Sequence, residues 1–560
     1  MNFSDPYRGG QGVDDVFGNE PLNQSPPYTG RNLFATDPLL VALSGNLSPA
    51  AQKDFIKIGD ALGTAESFQL ADLANRNKPI LKTHNERGKR IDRVEFHPSY
   101  HALLRRGVSY GLQGSVWEEP TANKMDVGHH HQARAVRFFL TSQVECGHLC
   151  PLTMTNAAPA ALRHSPRLAA DWLPKVKNRT YDSTHKSPFE KKGITFGMGM
   201  TEKQGGTDVR ANLTRAQAVN SDLWSITGHK WFLSAPMSDA FLVLAQAPGG
   251  LSCFLIPRML PDGKMNNLRF QRLKDKLGNS SNASSEVEFN GTLGFLIGAD
   301  GHGIRTILEM ATLTRLDCAV ASAGIMRSSL AHAVHHARHR SSFQKKLIDQ
   351  PLQTRVLADL ALDCGAATVL SMRLAESFDR APRDETEAAF SRLMTPVVKY
   401  WVCKATPPFV TETMECLGGN GYIEDWPMAR FYREAPVNAI WEGSGNVMCL
   451  DVLRALRSNP QTLDAVLLLV EAAFGSSQNP LLDVVRKAAS AALKDEGSAR
   501  IFTEQLALTV MAAELRRIAR SDIADAFLES RLSRPYRTTY GMLDSRFDSR
   551  AILDAMYPAV

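Results

Sequence analysis

Apolar positions change their spacing along this chain, and the changes divide it. From Leu39 to Lys192 they recur at helical intervals, as at Phe55, Ile58 and Leu62 behind the start signal Ser48–Pro49. Tyr100–Leu112 and Ala133–Val144 keep the same period, so this first region is predicted to be mainly helical. Between Ile194 and Phe289 the runs become short and alternating: Leu223–Thr227, Phe241–Ala245, Cys253–Pro257 and Glu286–Phe289. Clusters of Gly, Asn and Asp separate them, as in a small antiparallel β domain. Past Gly301–Gly303 come long helical periods, Ile304–Thr314, Val320–Arg338, Leu352–Phe378 and Glu385–Lys404, the pattern of a bundle. Further helix follows Leu456 to about Arg534, interrupted near Gly475–Pro480. The expected fold class is α+β, mostly α. Its segments are a flexible arm over 1–38, a helical domain over 39–192, a β domain over 193–298, a bundle over 299–456 and a helical extension over 457–560.

Composition narrows the class of protein. A chain of 560 residues exceeds a single core, and 44% hydrophobic with 22% charged residues is ordinary for a globular protein. No apolar run reaches the roughly 20 residues of a membrane span. The polar stretch Met1–Asn32 lacks the apolar centre of a signal peptide. Eight cysteines lie mostly among apolar neighbours, which suits free thiols in a reducing, cytoplasmic setting. Cys146, His148 and Cys150, and His129–His131, invite a metal reading, but no second ligand pair stands at finger-like spacing, so no metal is expected. Basic residues exceed acidic ones by 64 − 58 = 6, too few for a dedicated nucleic-acid protein of this length.

Three stretches carry candidate chemistry. Gly197–Asp208 is rich in glycine, which lets backbone approach a ligand, and adds the hydroxyls of Thr201 and Thr207. It does not have the spacing of a dinucleotide fingerprint, and alone it reads as a turn. Gly228–Ser234 places an aromatic pair beside a hydroxyl, and alone it reads as a strand with one buried face. The third runs from Cys416–Tyr422 through Arg430 and Arg433 to Ile440–Asn446, where Glu442 stands between Trp441 and Gly443. Burial there would raise its pKa and suit it to proton abstraction. On spacing alone, a solvated loop glutamate is the simpler reading. Ser444 is a candidate N-cap for a helix over Val447–Leu456.

Taken together and in order, these stretches resemble the acyl-CoA dehydrogenase family over roughly Leu39 to Leu456. Met200–Asp208 is similar to its Thr-Glu…Gly-Ser-Asp loop, and Lys230–Ser234 to its Lys-x-aromatic-Ile-Thr strand. Leu417–Tyr422 with Arg430 and Arg433 resembles its Leu-Gly-Gly-x-Gly-Tyr…Arg…Arg segment, and Ile440–Ser444 its Ile-aromatic-Glu-Gly-Thr. Gly197–Asp208, Lys274–Ser281, Pro436–Arg454 and the long C-terminal extension resemble most closely the AidB branch, the flavoproteins of the bacterial alkylation response.

The resemblance implies an N-terminal helical domain, a middle β-barrel, a helical bundle and an added C-terminal helical domain, assembled as a homotetramer. It implies FAD, held by Met198, Met200, Thr201, Gly206, Thr207, Phe232, Leu233 and Ser234, with Ile440, Gly443, Ser444 and Asn446 on the later loop. Arg340 and Phe343 resemble the Arg-x-x-Phe-Gly motif that reaches the FAD diphosphate of a neighbouring subunit, although Gln344 stands where that motif has Gly. Glu442 takes the position of the catalytic base. A related subgroup carries its base on an earlier helix, just before an Arg; here that position is Thr314, before Arg315, and offers no competing base. Trp441 in place of the usual Tyr, and Arg454 near the flavin, imply a pocket narrowed against long acyl chains. Arg454 could instead pair with Asp451 or a helix neighbour.

The branch also implies binding of double-stranded DNA through the C-terminal extension. Residues 451–560 hold 14 basic and 14 acidic side chains, so composition does not show it. Arg516, Arg517 and Arg520, with Arg531, Arg534 and Arg537 beyond, form the best cluster, the first three on one predicted helical face. The expected function is that of an FAD-containing, AidB-like flavoprotein of the DNA-alkylation response, with at most weak activity on a short branched acyl-CoA. The alternative is an ordinary acyl-CoA dehydrogenase of fatty-acid or amino-acid catabolism.

Overall fold

The computed structural model describes residues 23–119, 128–475, 479–533 and 546–558. Helices α1 (Pro38–Leu43), α2 (Pro49–Leu62), α3 (Ala65–Arg76), α4 (Pro98–Ser109), α5 (His130–Ser142), α6 (Leu149–Leu162) and α7 (Pro166–Lys177) form the first layer. Ser48 caps α2 by accepting the Ala51 amide, with Pro49 in the first turn, and Phe55, Ile58 and Leu62 go into the core. Two features differ from the sequence reading. A hairpin, β1 (Ile80–His84) and β2 (Arg90–Glu95), interrupts the helices. Its turn is set by Asn85, whose side chain accepts the Arg87 and Lys89 amides, and by Gly88 at φ 75°. Residues 23–37, expected within the loose arm, are packed: Leu33 and Phe34 are buried, and Ser25 bonds His336.

The middle of the chain is a seven-stranded sheet: β3 (Phe196–Gly199), β4 (Arg215–Ala218), β5 (Leu223–Ser234), β6 (Ala240–Ala247), β7 (Gly250–Pro257), β8 (Leu268–Leu273) and β9 (Ser284–Ile297). The strand order is β3-β5-β4-β6-β7-β9-β8, and extra β3–β6 and β5–β9 pairings curl the sheet toward a barrel. Most pairs are antiparallel, but β3 runs parallel to β6, which short alternating runs cannot reveal.

Beyond the barrel lie α8 (Gly303–His339), α9 (Pro351–Arg380) and α10 (Glu385–Glu415). Two predicted periods, Ile304–Thr314 and Val320–Arg338, are one 37-residue helix. Likewise α10 continues past Lys404 through Pro407 and Pro408, because burial against its neighbours outweighs the lost backbone bonds. Short α11 (Gly419–Tyr422) and α12 (Met428–Glu434) lead to α13 (Gly445–Ser458). The extension adds α14 (Gln461–Phe474), α15 (Pro480–Lys494), α16 (Ala499–Ile518), α17 (Ser521–Leu532) and α18 (Ser549–Met556). The last folds back: Arg327 of α8 lies over Tyr557 and donates to the Met556 carbonyl at 3.0 Å. Among the described residues no helix is long and apolar enough to cross a membrane.

Candidate active site

The first two candidate stretches meet at one edge of the barrel. Met198 pairs with Ser234 across β3 and β5, and the Trp231 amide donates to the Thr201 carbonyl at 2.8 Å. Beneath them the fully buried Glu202 takes Lys230 Nζ at 2.6 Å and the amides of Leu213 and Thr214 at 2.7 and 3.2 Å. These bonds hold the Glu202 carboxyl down at about 2, although burial opposes them, and burial lowers Lys230 to about 8. The loop is therefore rigid. Gly206 closes it, since a Cβ there would collide with Thr201 Oγ1.

On this frame Phe232 is 44% exposed, Thr201 and Ser234 are half-buried and Thr207 is open. Leu233 points the other way, into the barrel core, so only its backbone can face a ligand. Met198 and Met200 pack between the barrel and the helices.

The third stretch carries Glu442, the candidate base. Glu442 sits at φ 57°, a left-handed conformation that is costly for a residue with a Cβ. It persists because its neighbours fix the backbone. Arg315 Nε donates to the Glu442 carbonyl at 3.1 Å, buried Lys399 Nζ donates to the Gly443 carbonyl, and the Trp441 amide bonds Val437 O at 3.1 Å. The Trp441 indole is held in turn by Asn438 at 2.9 Å. Thr314 Oγ1 donates to Glu442 Oε2 at 2.6 Å. Burial pushes the Glu442 carboxyl up, while Thr314, Arg315 and Lys399 pull against that shift. A carboxylate so poised can take a proton.

Helix α6 joins the two halves. Thr155 Oγ1 accepts the Phe196 amide of β3 at 2.8 Å, and five residues earlier Cys150 feels the charge of Glu442. Hydroxyls, backbone amides, the half-exposed ring of Phe232 with the Lys274 ammonium over it at 4.8 Å, and the 66%-exposed Ile440 make a set suited to a flat, electron-accepting heteroaromatic ring. The residues present fit a flavin.

Other predicted residues fall elsewhere. Ser444 occupies the N-cap position of α13 but makes no side-chain cap bond, and Asn446 Oδ1 is engaged by Arg500 at 2.8 Å. Arg454 is exposed on α13. The expected alternative, its pairing with Asp451, fails because Arg315 and Arg392 hold that carboxylate at 2.7 and 3.0 Å. Arg340 ends α8, about 39 Å along the helix from Thr314. Beyond it Phe343 (φ 49°) and Gln344 (φ 63°) form the tip of a tight hairpin, with Phe343 92% exposed.

The arginine cluster is also altered. Helix α16 stops at Ile518, so Arg520 does not share its face; it is the N-cap residue of α17. Each cation already has an acid: Arg516 with Asp525 at 3.0 Å, Arg517 with Glu514 at 2.8 Å and Arg520 with Asp522 at 2.9 Å. Arg531 is buried on Asp359 and Asp363, while Arg534 and Arg537 lie outside the described residues. Sequence reasoning missed Lys399 and named Arg315 and Asp451 only in other roles, because their link to Glu442 depends on contacts 44 to 136 residues apart.

Three family profiles match along the chain: the adaptive response protein AidB N-terminal domain over 23–183, the acyl-CoA dehydrogenase middle domain over 197–292 and its C-terminal domain over 301–457. AidB of Escherichia coli (strain K12), whose name makes it an acyl-CoA dehydrogenase only provisionally, is 45% identical over 519 residues, covering 91% of this chain and 93% of that protein. The chain belongs to the AidB branch of the acyl-CoA dehydrogenase family. In three dimensions it is similar to Caenorhabditis elegans ACDH-11, solved in complex with C11-CoA, with a TM-score of 0.82, 26% identity and 95% of each chain covered. An acyl-CoA dehydrogenase of Bacillus anthracis, complexed with FAD, shares the fold at a TM-score of 0.65 and 15% identity, covering 91% of this chain and 86% of that one.

Proposed function

We propose that this chain is an FAD-dependent oxidoreductase of acyl-CoA dehydrogenase type, with Glu442 as its base and at most weak activity on a short, branched acyl thioester. The arrangement of Glu442 carries the reading: a strained loop carboxylate, bonded by Thr314 and fixed through its backbone by Arg315 and Lys399. Such strain persists where surrounding structure over-determines it, as active sites do. FAD when bound supplies the two-electron acceptor. Thr201, Thr207, Ser234, the backbone around Gly206 and Phe232 would hold it. Glu442 removes the proton from the carbon next to the thioester carbonyl, the more acidic of the two C–H positions.

Trp441, fixed by Asn438, fills space beside the base, and the exposed Arg454 adds a cation on α13. The bulk of the Trp441 indole favours a small substrate. Arg340 and the exposed Phe343 reach the cofactor of a neighbouring copy, which makes the working unit an oligomer, taken as a tetramer. Double-stranded DNA binding, a part in the alkylation response and a cytoplasmic location complete the proposal. Supporting the DNA reading are the family branch and the arginines of α16 and α17; against it stand their three acid partners. Anaerobic addition of isovaleryl-CoA to the flavin-loaded chain tests the oxidoreductase reading. Bleaching of the flavin supports it, and persistent oxidised flavin with isovaleryl-CoA, isobutyryl-CoA and butyryl-CoA rejects it.

A further inference from the structure

A cavity of about 1000 Å3 includes neither Glu442 nor any of the residues placed around the flavin. Its floor is His332 of α8, which stands 18 residues beyond Thr314, about 27 Å along the helix. Residues 25–29, helix α3, the loop at 276–280 and the stretch 424–433 wall it. This volume is at the upper end for small-molecule sites, and four separate segments converge to make it.

The floor is aromatic. Tyr28 and Phe68 meet the His332 ring edge-on, with centroids at 4.9 and 5.8 Å, and Trp426 meets His336 one turn further on at 6.3 Å. Burial holds His332 neutral, down at about 3, and among the described residues its Nε2 has no hydrogen-bond partner. The walls carry Arg76, Lys78, Lys276, Arg430 and Arg433 against Asp72, Glu424 and Asp425. Most of these cations are matched: Arg76 with Asp72, Lys78 with Asp275, Arg433 with Glu424 and Arg430 with Glu434. Lys276 is not. Its ammonium rests on the carbonyls of Asn279 and Asn282 at 2.9 and 2.8 Å; among the described residues no carboxylate forms an ion pair with it, and Glu145 and Glu434 act on it only from further off. An ammonium held directly by carbonyl dipoles, with its acids only at longer range, keeps an attraction for an anion that can reach it.

We propose that this cavity is a second small-molecule site, which takes an aromatic anion: a flat ring against Tyr28, Phe68 and Trp426, and a carboxylate or phosphate drawn by Lys276. An aryl carboxylate and a mononucleotide both have that chemistry.

Leu277 lines the cavity and is 62% exposed, so changing its charge leaves the core intact. The test titrates the full-length, FAD-loaded chain and its Leu277→Glu and Leu277→Lys variants with 8-anilinonaphthalene-1-sulfonate, followed by probe and flavin fluorescence. Saturable binding is expected, weakened roughly tenfold in Leu277→Glu and tightened in Leu277→Lys. Competition then separates the sources: displacement by indole-3-acetate assigns an aryl carboxylate, and displacement by adenosine monophosphate assigns a nucleotide. Equal affinity in both variants, no saturable binding, or displacement by neither competitor overturns the proposal. Release of FAD by the probe also overturns it, by placing the cavity within the cofactor site.

Discussion

The Thr314 hydroxyl lies 2.6 Å from Glu442 Oε2 and 3.0 Å from the carbonyl of Ala311. A hydroxyl has one proton to give, and these two acceptors compete for it. When Glu442 is ionised, Thr314 donates to the carboxylate. Once Glu442 has taken a proton, it can donate to Thr314, which turns its own hydrogen to Ala311. One side chain thus serves both states of Glu442.

Removing that donor should raise the Glu442 pKa further, because burial already raises it and Thr314 is the first group opposing the shift. Thr314→Val should therefore move the acid limb of flavin reduction to higher pH, by roughly one unit. Thr314→Ser should restore it. An acid limb unchanged in the valine variant would remove Thr314 from the account.

The left-handed backbone of Glu442 makes a separate prediction about stability. Glu442→Gly relieves both the φ of 57° and the buried carboxylate, so it should stabilise the fold by about 1 kcal/mol while abolishing flavin reduction. Thermal unfolding reads the first effect; a lower midpoint would show that the loop is not strained.

Under the glycine-rich loop, Glu202→Gln leaves Lys230 buried without its counter-ion, which should cost about 3–5 kcal/mol. The double change Glu202→Gln with Lys230→Met should cost less than the single one, since no charge is stranded. Denaturant unfolding of the two variants distinguishes them.

For DNA, affinity should fall steeply with salt if phosphates are the target. Because Arg516, Arg517 and Arg520 are each neutralised by an acid, Asp525→Asn with Asp522→Asn should strengthen binding more than the triple alanine change weakens it. Equal affinity in both variants would move any DNA contact away from these helices.

The elements legible in the sequence were those stated by local signals: the Ser48–Pro49 helix start, the alternating runs of the barrel and the break at Gly475–Pro480. Local pattern failed where tertiary packing decides. Nothing near Pro407 announces that α10 passes straight through it, and the hairpin at 80–95 gave only Asn85 and Gly88 as cues. In the site, Glu442 was visible from its neighbours, and Thr314 was visible only as the absence of a rival base. Their contact, like the grip of Arg315 and Lys399 on the loop, joins segments far apart in the chain. The single face imagined for Arg516, Arg517 and Arg520 failed because α16 ends two residues too early.

The central claim is that Glu442 moves the proton. It is tested most directly by following exchange of the α-hydrogens of isovaleryl-CoA in deuterium oxide by proton NMR, anaerobically, with the flavin-loaded chain. Exchange in the unaltered chain that vanishes in Glu442→Gln and slows in Thr314→Val is the predicted result. Exchange that continues undiminished in Glu442→Gln would contradict it.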